Sequence, residues 1–244
     1  MLGSIIMKPS WKWSAIGKHP LAKDYFQFGR NEVLADTFAN WIENGYQKLV
    51  SDDKKKGTFH SWRFWVPGKR KGTIACGIGR NSSDRIGRPY PFLIIGMGTI
   101  QGWEDHWELL PVIFEETWSR MEYLASAQLK DLKELEKEIN QIKKPSMKEV
   151  PGNSQRFVDN MSSLSDDIRI STRDLLRDNE FYAPINDNSN HDAISLVMQW
   201  HRGLKLSLKT CPSIVLMGGT PERSYLAVFN RSLNANDFVK LWTV

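Results

Sequence analysis

The sequence predicts an α/β protein: a single-domain sandwich in which a mixed, largely antiparallel central sheet is flanked by helices. Three observations carry that prediction. The run FHSWRFWV, closed by Pro67-Gly68 and followed after KRKG by TIACGIG, reads as a hairpin of two aromatic and β-branched strands. PFLIIGMG is apolar without strict alternation, as expected of a strand covered on both faces. Between these strands and two later strand-like runs lies a long stretch of helical periodicity. At 244 residues the chain can build one substantial core, and nothing in its length forces a second.

In chain order, WKWSAIGKHPLAKDYFQF mixes aromatic residues with Gly17 and Pro20 and predicts a short strand and a long ordered turn. Leu34, Phe38, Trp41, Ile42 and Leu49 then recur at helical spacing, with Asn31 as the cap and SDDKKKG as the stop. The hairpin follows, and PFLIIGMG is the candidate for the centre of the sheet. From Trp107 to about Lys144 one long helix or two are expected. Trp118, Met121, Ala125, Leu132, Leu135, Ile139 and Ile142 form an imperfect apolar seam there, and KDLKELEKEINQIKK supplies a solvated face. If residues 128–143 left that seam exposed, the helix would itself be an interaction surface.

KKPSMKEVPGNSQ reads as a flexible connection, and SSLSDDIRISTRDLLRDN as a short helix begun at Ser171 or Thr172 with Asp174 in its first turn. NHDAISLVMQWHR is a further helix with Ile194, Val197, Met198 and His201 on one side and His191 near its cap. PSIVLMGG and SYLAVFNR are strands joined by GGTPER. ANDFVKLW closes the chain as a helical turn whose Phe238, Leu241 and Trp242 dock on the core.

Composition narrows the function classes. The 33 basic and 28 acidic residues are interspersed, so a net charge of +5 serves solubility and predicts no nucleic-acid surface. Ten tryptophans are a surplus, to be used as core anchors or at a partner surface. Cys76 and Cys211 show no metal-ligand or CxxC spacing and are expected as buried free thiols. No run approaches the ~20 apolar residues of a membrane span, and MLGSIIMKP is too brief for a secretory leader, so a cytoplasmic protein without membrane insertion is expected.

Catalytic signatures are missing. The chain has no GxSxG elbow, no phosphate loop and no HExxH, and Gly17-Lys18 lacks the glycine loop of a nucleotide site. His19 with Asp24 reads as a polar pair. His60, His106 and His201 fall among aromatic residues and read as neutral core rings, so neither metal nor cofactor is expected.

Polar chemistry concentrates in SSDRIGRPYPF, residues 82–92. Ser82, Ser83 and Asp84 resemble a nucleophile with an orienting carboxylate, but no third member completes them. Arg85 and Arg88 carry five-donor forks that either clamp a carboxylate or phosphate ligand, or bridge Asp84 or Asp24 within the protein. Gly87 permits a backbone angle closed to other residues, and Pro89 and Pro91 hold the strand entry extended. The turn therefore admits an active-site, an anion-binding and a structural reading.

GKHPLAKDYFQF, the helix with Trp41, FHSWRFWVPG, CGIGRNSSDRIGRPYPFLII and PSIVLMGGTPERSYLAVF together resemble the amino-terminal domain family of the type VI secretion-associated protein TagF. The family opening falls on Gly17, Lys18, Pro20 and Asp24, with Tyr25 and Phe26 after it. The family signature falls on Ser82, Asp84, Gly87, Arg88 and Pro91. Lys23 departs from the opening, standing where the family has a small residue or glycine before the aspartate. The likeness is strong to about residue 123 and returns after residue 210, leaving a divergent helical and loop insertion at about 125–190 within one domain spanning 1–244.

The resemblance implies an α/β sandwich and a posttranslational regulator of type VI secretion that is not an enzyme and associates with a forkhead-associated scaffold protein. On that reading, an aromatic-basic ridge of Lys18, Asp24, Arg85, Arg88 and Trp13 binds a secretion component. The alternative is an anion-binding module or hydrolase centred on Ser82 to Arg88.

Overall fold

Alternation along the strands sorts the apolar side chains onto the two faces of one sheet. The computed structural model describes residues 11–29, 33–52, 58–147, 166–185 and 193–244. Its strands are β1 (Lys12–Gly17), β2 (Phe26–Phe28), β3 (Ser61–Pro67), β4 (Thr73–Arg80), β5 (Phe92–Thr99), β6 (Glu180–Pro184), β7 (Ile214–Gly219) and β8 (Ser224–Phe229). They hydrogen-bond in the order β2-β1-β5-β4-β3-β7-β8-β6. The expected α/β sandwich is present, and its sheet is more regular than "mixed": every pairing among the described residues is antiparallel.

The predicted hairpin of β3 and β4 forms the middle pair, in register from Ser61↔Arg80 to Pro67↔Ile74. PFLIIGMG, read as the central strand, is instead third from one edge, although Phe92 to Ile95 are buried on both faces as expected. Burial on both faces needs only helices above and below, not a central place.

One face packs against α1 (Val33–Ser51) and α6 (Ala235–Leu241), with Trp62, Phe64, Leu93, Ile95, Leu216 and Phe229 beneath them. Asn234 caps α6, its side chain and that of Asp237 exchanging bonds with each other's backbone. That fixes the turn from which Phe238, Leu241 and Trp242 dock as predicted. The α1 surface is flat at Gly45, where an added Cβ would lie 2.2 Å from that of Phe238.

The other face carries a 3₁₀ turn (Trp103–Leu109), α2 (Leu110–Leu124), α3 (Leu132–Asn140), α4 (Asp166–Asp178) and α5 (Ala193–Ser207). Of the one long helix or two expected from Trp107, two form, the second starting where the Asp131 side chain accepts from the Glu134 N–H. Its apolar seam is docked: Leu135, Ile139 and Ile142 are buried, which removes the exposed stripe that an interaction helix at 128–143 requires. The helix expected to begin at Ser171 or Thr172 already runs from Asp166, and Thr172 turns its hydroxyl back onto the Ile168 carbonyl. β6 was not foreseen. The expected caps Asn31 and His191 lie outside the described residues, as does most of the connection after Met147.

All ten tryptophans are core residues, none more than 9% exposed. This settles their role against a partner surface, for Trp13 in particular. Trp13 and Trp11 stack on each other and lie across Gly96 and Gly98, where any Cβ would enter the indole rings. Trp65 stands at the middle of this face, against Trp103, Trp107 and His201. Its Nε1–H donates to His201 Nε2 at 3.1 Å, which leaves Nδ1–H to donate to the Val197 carbonyl. Burial drives the His201 pKa down to about 4, so the ring is neutral.

Candidate functional site

The polar turn forms where β1 ends and β5 begins, because those two strands pair from Gly17↔Phe92 onward. Gly17 has φ 122°, and a Cβ there would sit 2.1 Å from the Pro91 carbonyl oxygen, so only glycine fits. The next N–H, from Lys18, donates to that same oxygen at 3.4 Å. Pro20 occupies the second position of a β-turn closed by Ala22 N–H to the His19 carbonyl, 2.8 Å. Facing it, residues 82–90 fold into a small hairpin held by Tyr90 N–H to the Ser82 carbonyl, 3.0 Å, and by the Ser83↔Pro89 bridge. Gly87, φ 84°, supplies the left-handed position at its tip.

Asp84 organises this hairpin from within, at 2% exposure. One carboxylate oxygen, Oδ1, accepts from the N–H groups of Ile86 (3.1 Å) and Arg88 (3.0 Å). The other, Oδ2, accepts from Arg88 Nε at 2.7 Å and meets Lys18 Nζ at 3.1 Å. Arg88 Nη2 reaches Asp24 at 3.0 Å and the Lys23 carbonyl at 3.0 Å, and Lys18 lies 3.7 Å from Asp24. Two cations and two carboxylates thus close on one another. Burial alone would raise the Asp84 pKa, but the Arg88 and Ile86 N–H groups and the Lys18 and Arg88 side chains outweigh it and hold the pKa at about 2. The Tyr25 N–H, then Arg88 and Lys18, lower that of Asp24.

The sign of the pH response follows. A carboxyl with a folded pKa of about 2 against an ordinary 3.8 contributes stability that is complete above the unfolded value and lost as pH falls through the folded one. Denaturant midpoints of wild type and Asp84→Asn, measured from neutrality to acid, should differ most above about pH 4 and converge near pH 2. A constant gap across that range would mean that the Asp84 charge is not what braces the turn.

The sequence-predicted residues therefore separate into groups. Lys18, Asp24, Asp84 and Arg88 meet in one network, with Gly17, Pro20, Gly87 and Pro91 shaping the backbone around it. Ser82 contributes its carbonyl to the hairpin. Arg85 stands apart: only its backbone is engaged, N–H to the Ala22 carbonyl at 2.8 Å, and its guanidinium has no partner among the described residues. Trp13 is in the core and is not part of the ridge. His19 does not pair with Asp24. Its Nδ1 accepts from the Leu21 N–H and its Nε2–H donates to the Leu124 carbonyl, pinning this loop to the end of α2. His106 is exposed beside Glu108, not a core ring.

Sequence reasoning passed over a cluster of aromatic residues beside the turn. Tyr90 packs edge-on against Tyr25 and Tyr46 and donates to Glu43 of α1, while the Tyr46 hydroxyl donates to the Pro89 carbonyl at 2.8 Å. Tyr25 is 45% exposed and Ile86, at the hairpin tip, 72%. Ile86 was legible as the one apolar residue between two arginines in DRIGR.

Among the described residues no three His, Cys, Asp or Glu side chains stand where they could hold a metal ion, Cys76 and Cys211 are free thiols, and no helix is long and apolar enough to cross a membrane.

Fold and turn together define a class: an α/β sandwich on one antiparallel sheet whose loop at residues 82–90 is an internally ion-paired brace. The TagF N-terminal domain family, described as type VI secretion system-associated, matches residues 14–144, and the chain belongs to that family. Among solved structures, the chain is similar to that of PA0076 from Pseudomonas aeruginosa PAO1, with a TM-score of 0.53 and 14% identity over 95% of this chain and 94% of that one. At that identity the likeness speaks to the fold alone. No curated protein matches the chain significantly.

Proposed function

We propose that the protein is a noncatalytic, cytoplasmic regulator of type VI secretion that acts by binding a component of the apparatus, a forkhead-associated scaffold protein being the first candidate. Membership of a secretion-associated family supports the setting. The observation that carries the noncatalytic part is the state of Asp84, whose two oxygens are filled by two N–H groups and two cations. A general base works best with a pKa near the operating pH, and a carboxylate held at about 2 is far from it. The same carboxylates engage Lys18 Nζ and Arg88 Nε and Nη2, which weakens those two side chains as a clamp for an anionic ligand. What the loop offers outward is shape, tyrosine rings and Arg85, which suits a protein surface.

Two measurements test this reading. Calorimetric titration with the scaffold protein encoded beside the same secretion genes should show saturable binding at micromolar Kd or tighter, about −8 kcal/mol. Overproducing the protein should lower type VI secretion at unchanged levels of the apparatus transcripts. If secretion is indifferent to both overproduction and deletion, the regulatory assignment is wrong.

A further inference from the structure

We infer that the tip of the 84–88 turn is the anchor of the binding surface: Ile86 enters an apolar pocket of a protein partner whose rim carries carboxylates facing Arg85 and Lys23. The inference rests on the binding function proposed above and names the residues and the partner chemistry.

Exposure of one isoleucine decides nothing by itself, since lone surface apolar residues are common. Three further features set Ile86 apart. It is carried on a stiff support: its own N–H and that of Arg88 bond to Asp84 Oδ1, Gly87 N–H bonds to the Asp84 carbonyl at 2.9 Å, and Asp84 N–H to the Arg88 carbonyl at 3.2 Å. A tip already held this way needs little ordering on association, which removes a main cost of binding through a loop.

Its charged surroundings are lopsided. Around its base Lys18, Arg88, Asp24 and Asp84 are paired with one another, the exposed Arg88 and Asp24 included. At the surface the guanidinium of Arg85 and the ammonium of Lys23 are exposed and have no ion partner among the described residues. The two lie on facing strands of chain, joined by Arg85 N–H to the Ala22 carbonyl and by Arg88 Nη2 to the Lys23 carbonyl. An apolar side chain flanked by two unneutralised cations is complementary to an apolar pocket with an acidic rim.

The border is aromatic, from Tyr25 and the Tyr46–Tyr90 pair, and tyrosine and arginine are enriched where protein interfaces concentrate their energy. Nucleic acid is a poorer match. A projecting isoleucine gives a duplex backbone nothing to pair with.

The test uses the full chain as bait in lysates of cells that assemble a type VI apparatus, with recovered apparatus components quantified by mass spectrometry after nuclease treatment. Ile86→Ser and Arg85→Glu should each lower recovery of the bound component about tenfold or more, while Arg85→Lys and Leu206→Ser, a change at an exposed apolar residue of α5, should match wild type. All four should unfold at the wild-type temperature.

Recovery that is equal for wild type and both tip variants overturns the tip assignment and leaves the regulatory function standing. Loss of recovery on nuclease treatment assigns the contact to nucleic acid and overturns it too. If wild type itself enriches no apparatus component, the proposed function fails and the anchor falls with it.

Discussion

Alanine in place of Gly17 is expected to lower unfolding stability by about 3 kcal/mol or more, read as a drop in the urea midpoint. Two terms add. The backbone sits at φ 122°, a region that side-chain-bearing residues avoid. A Cβ would also meet the Pro91 carbonyl oxygen at 2.1 Å and Phe92 Cα at 3.1 Å, both backbone atoms of a paired strand that cannot step aside as a flexible side chain can. Gly17 pairs with Phe26 on one side and Phe92 on the other, so relief on one side strains the other. The cheapest escape parts β1 from β5 and draws Lys18 away from Asp84. Gly87→Ala makes a sharp comparison: φ is 84°, yet nothing lies within 4 Å of an added Cβ, so only the conformational cost of about 1–2 kcal/mol applies. Equal losses at the two positions would show that the contact with Pro91 is relieved freely.

Trp65→Ala should cost about 3–5 kcal/mol and broaden the thermal transition. The ring is fully buried on one of the two middle strands, where the surrounding Trp103, Trp107 and His201 cannot all collapse into the space. The change also strips His201 Nε2 of its donor, leaving a buried acceptor unsatisfied. Trp65→Phe separates the effects, keeping most of the volume and losing the hydrogen bond, at about 1–3 kcal/mol. If alanine and phenylalanine are equally mild, the indole is not the keystone of this face.

Most elements were legible because their signals are local. The β3–β4 hairpin, α1, α6 and the last two strands follow from periodicity and turn residues within a dozen positions of each other. Two helices were among the expectations for 107–144, and the place of the break between α2 and α3 was legible too: Asp131 and Glu134 stand in the D-x-x-E spacing of a capping box, masked by the apolar seam that runs through it. β6 was not legible. EFYAP is five residues ending in proline, and its strand character comes from bonding with β8 and from burial of Phe181 and Ala183. Thr172 misled in the opposite direction, since a good capping residue is tolerated mid-helix when its hydroxyl bonds back to the preceding turn.

The class of the fold, the kind and order of most elements, and the two motifs that mark the family could be read from the residues alone, because those depend on spacing along the chain. The sequence also placed Asp84, Arg85 and Arg88 in one turn while leaving open whether the arginines face a ligand or the protein. Packing of distant segments answers it. Register between β1 and β5 brings Lys18 onto Asp84, the 19–25 loop brings Asp24 onto Arg88, and the sheet buries every tryptophan. An ion pair between distant segments is chosen by which backbones run side by side, and that choice leaves Arg88 in the brace and Arg85 with Ile86 in solvent.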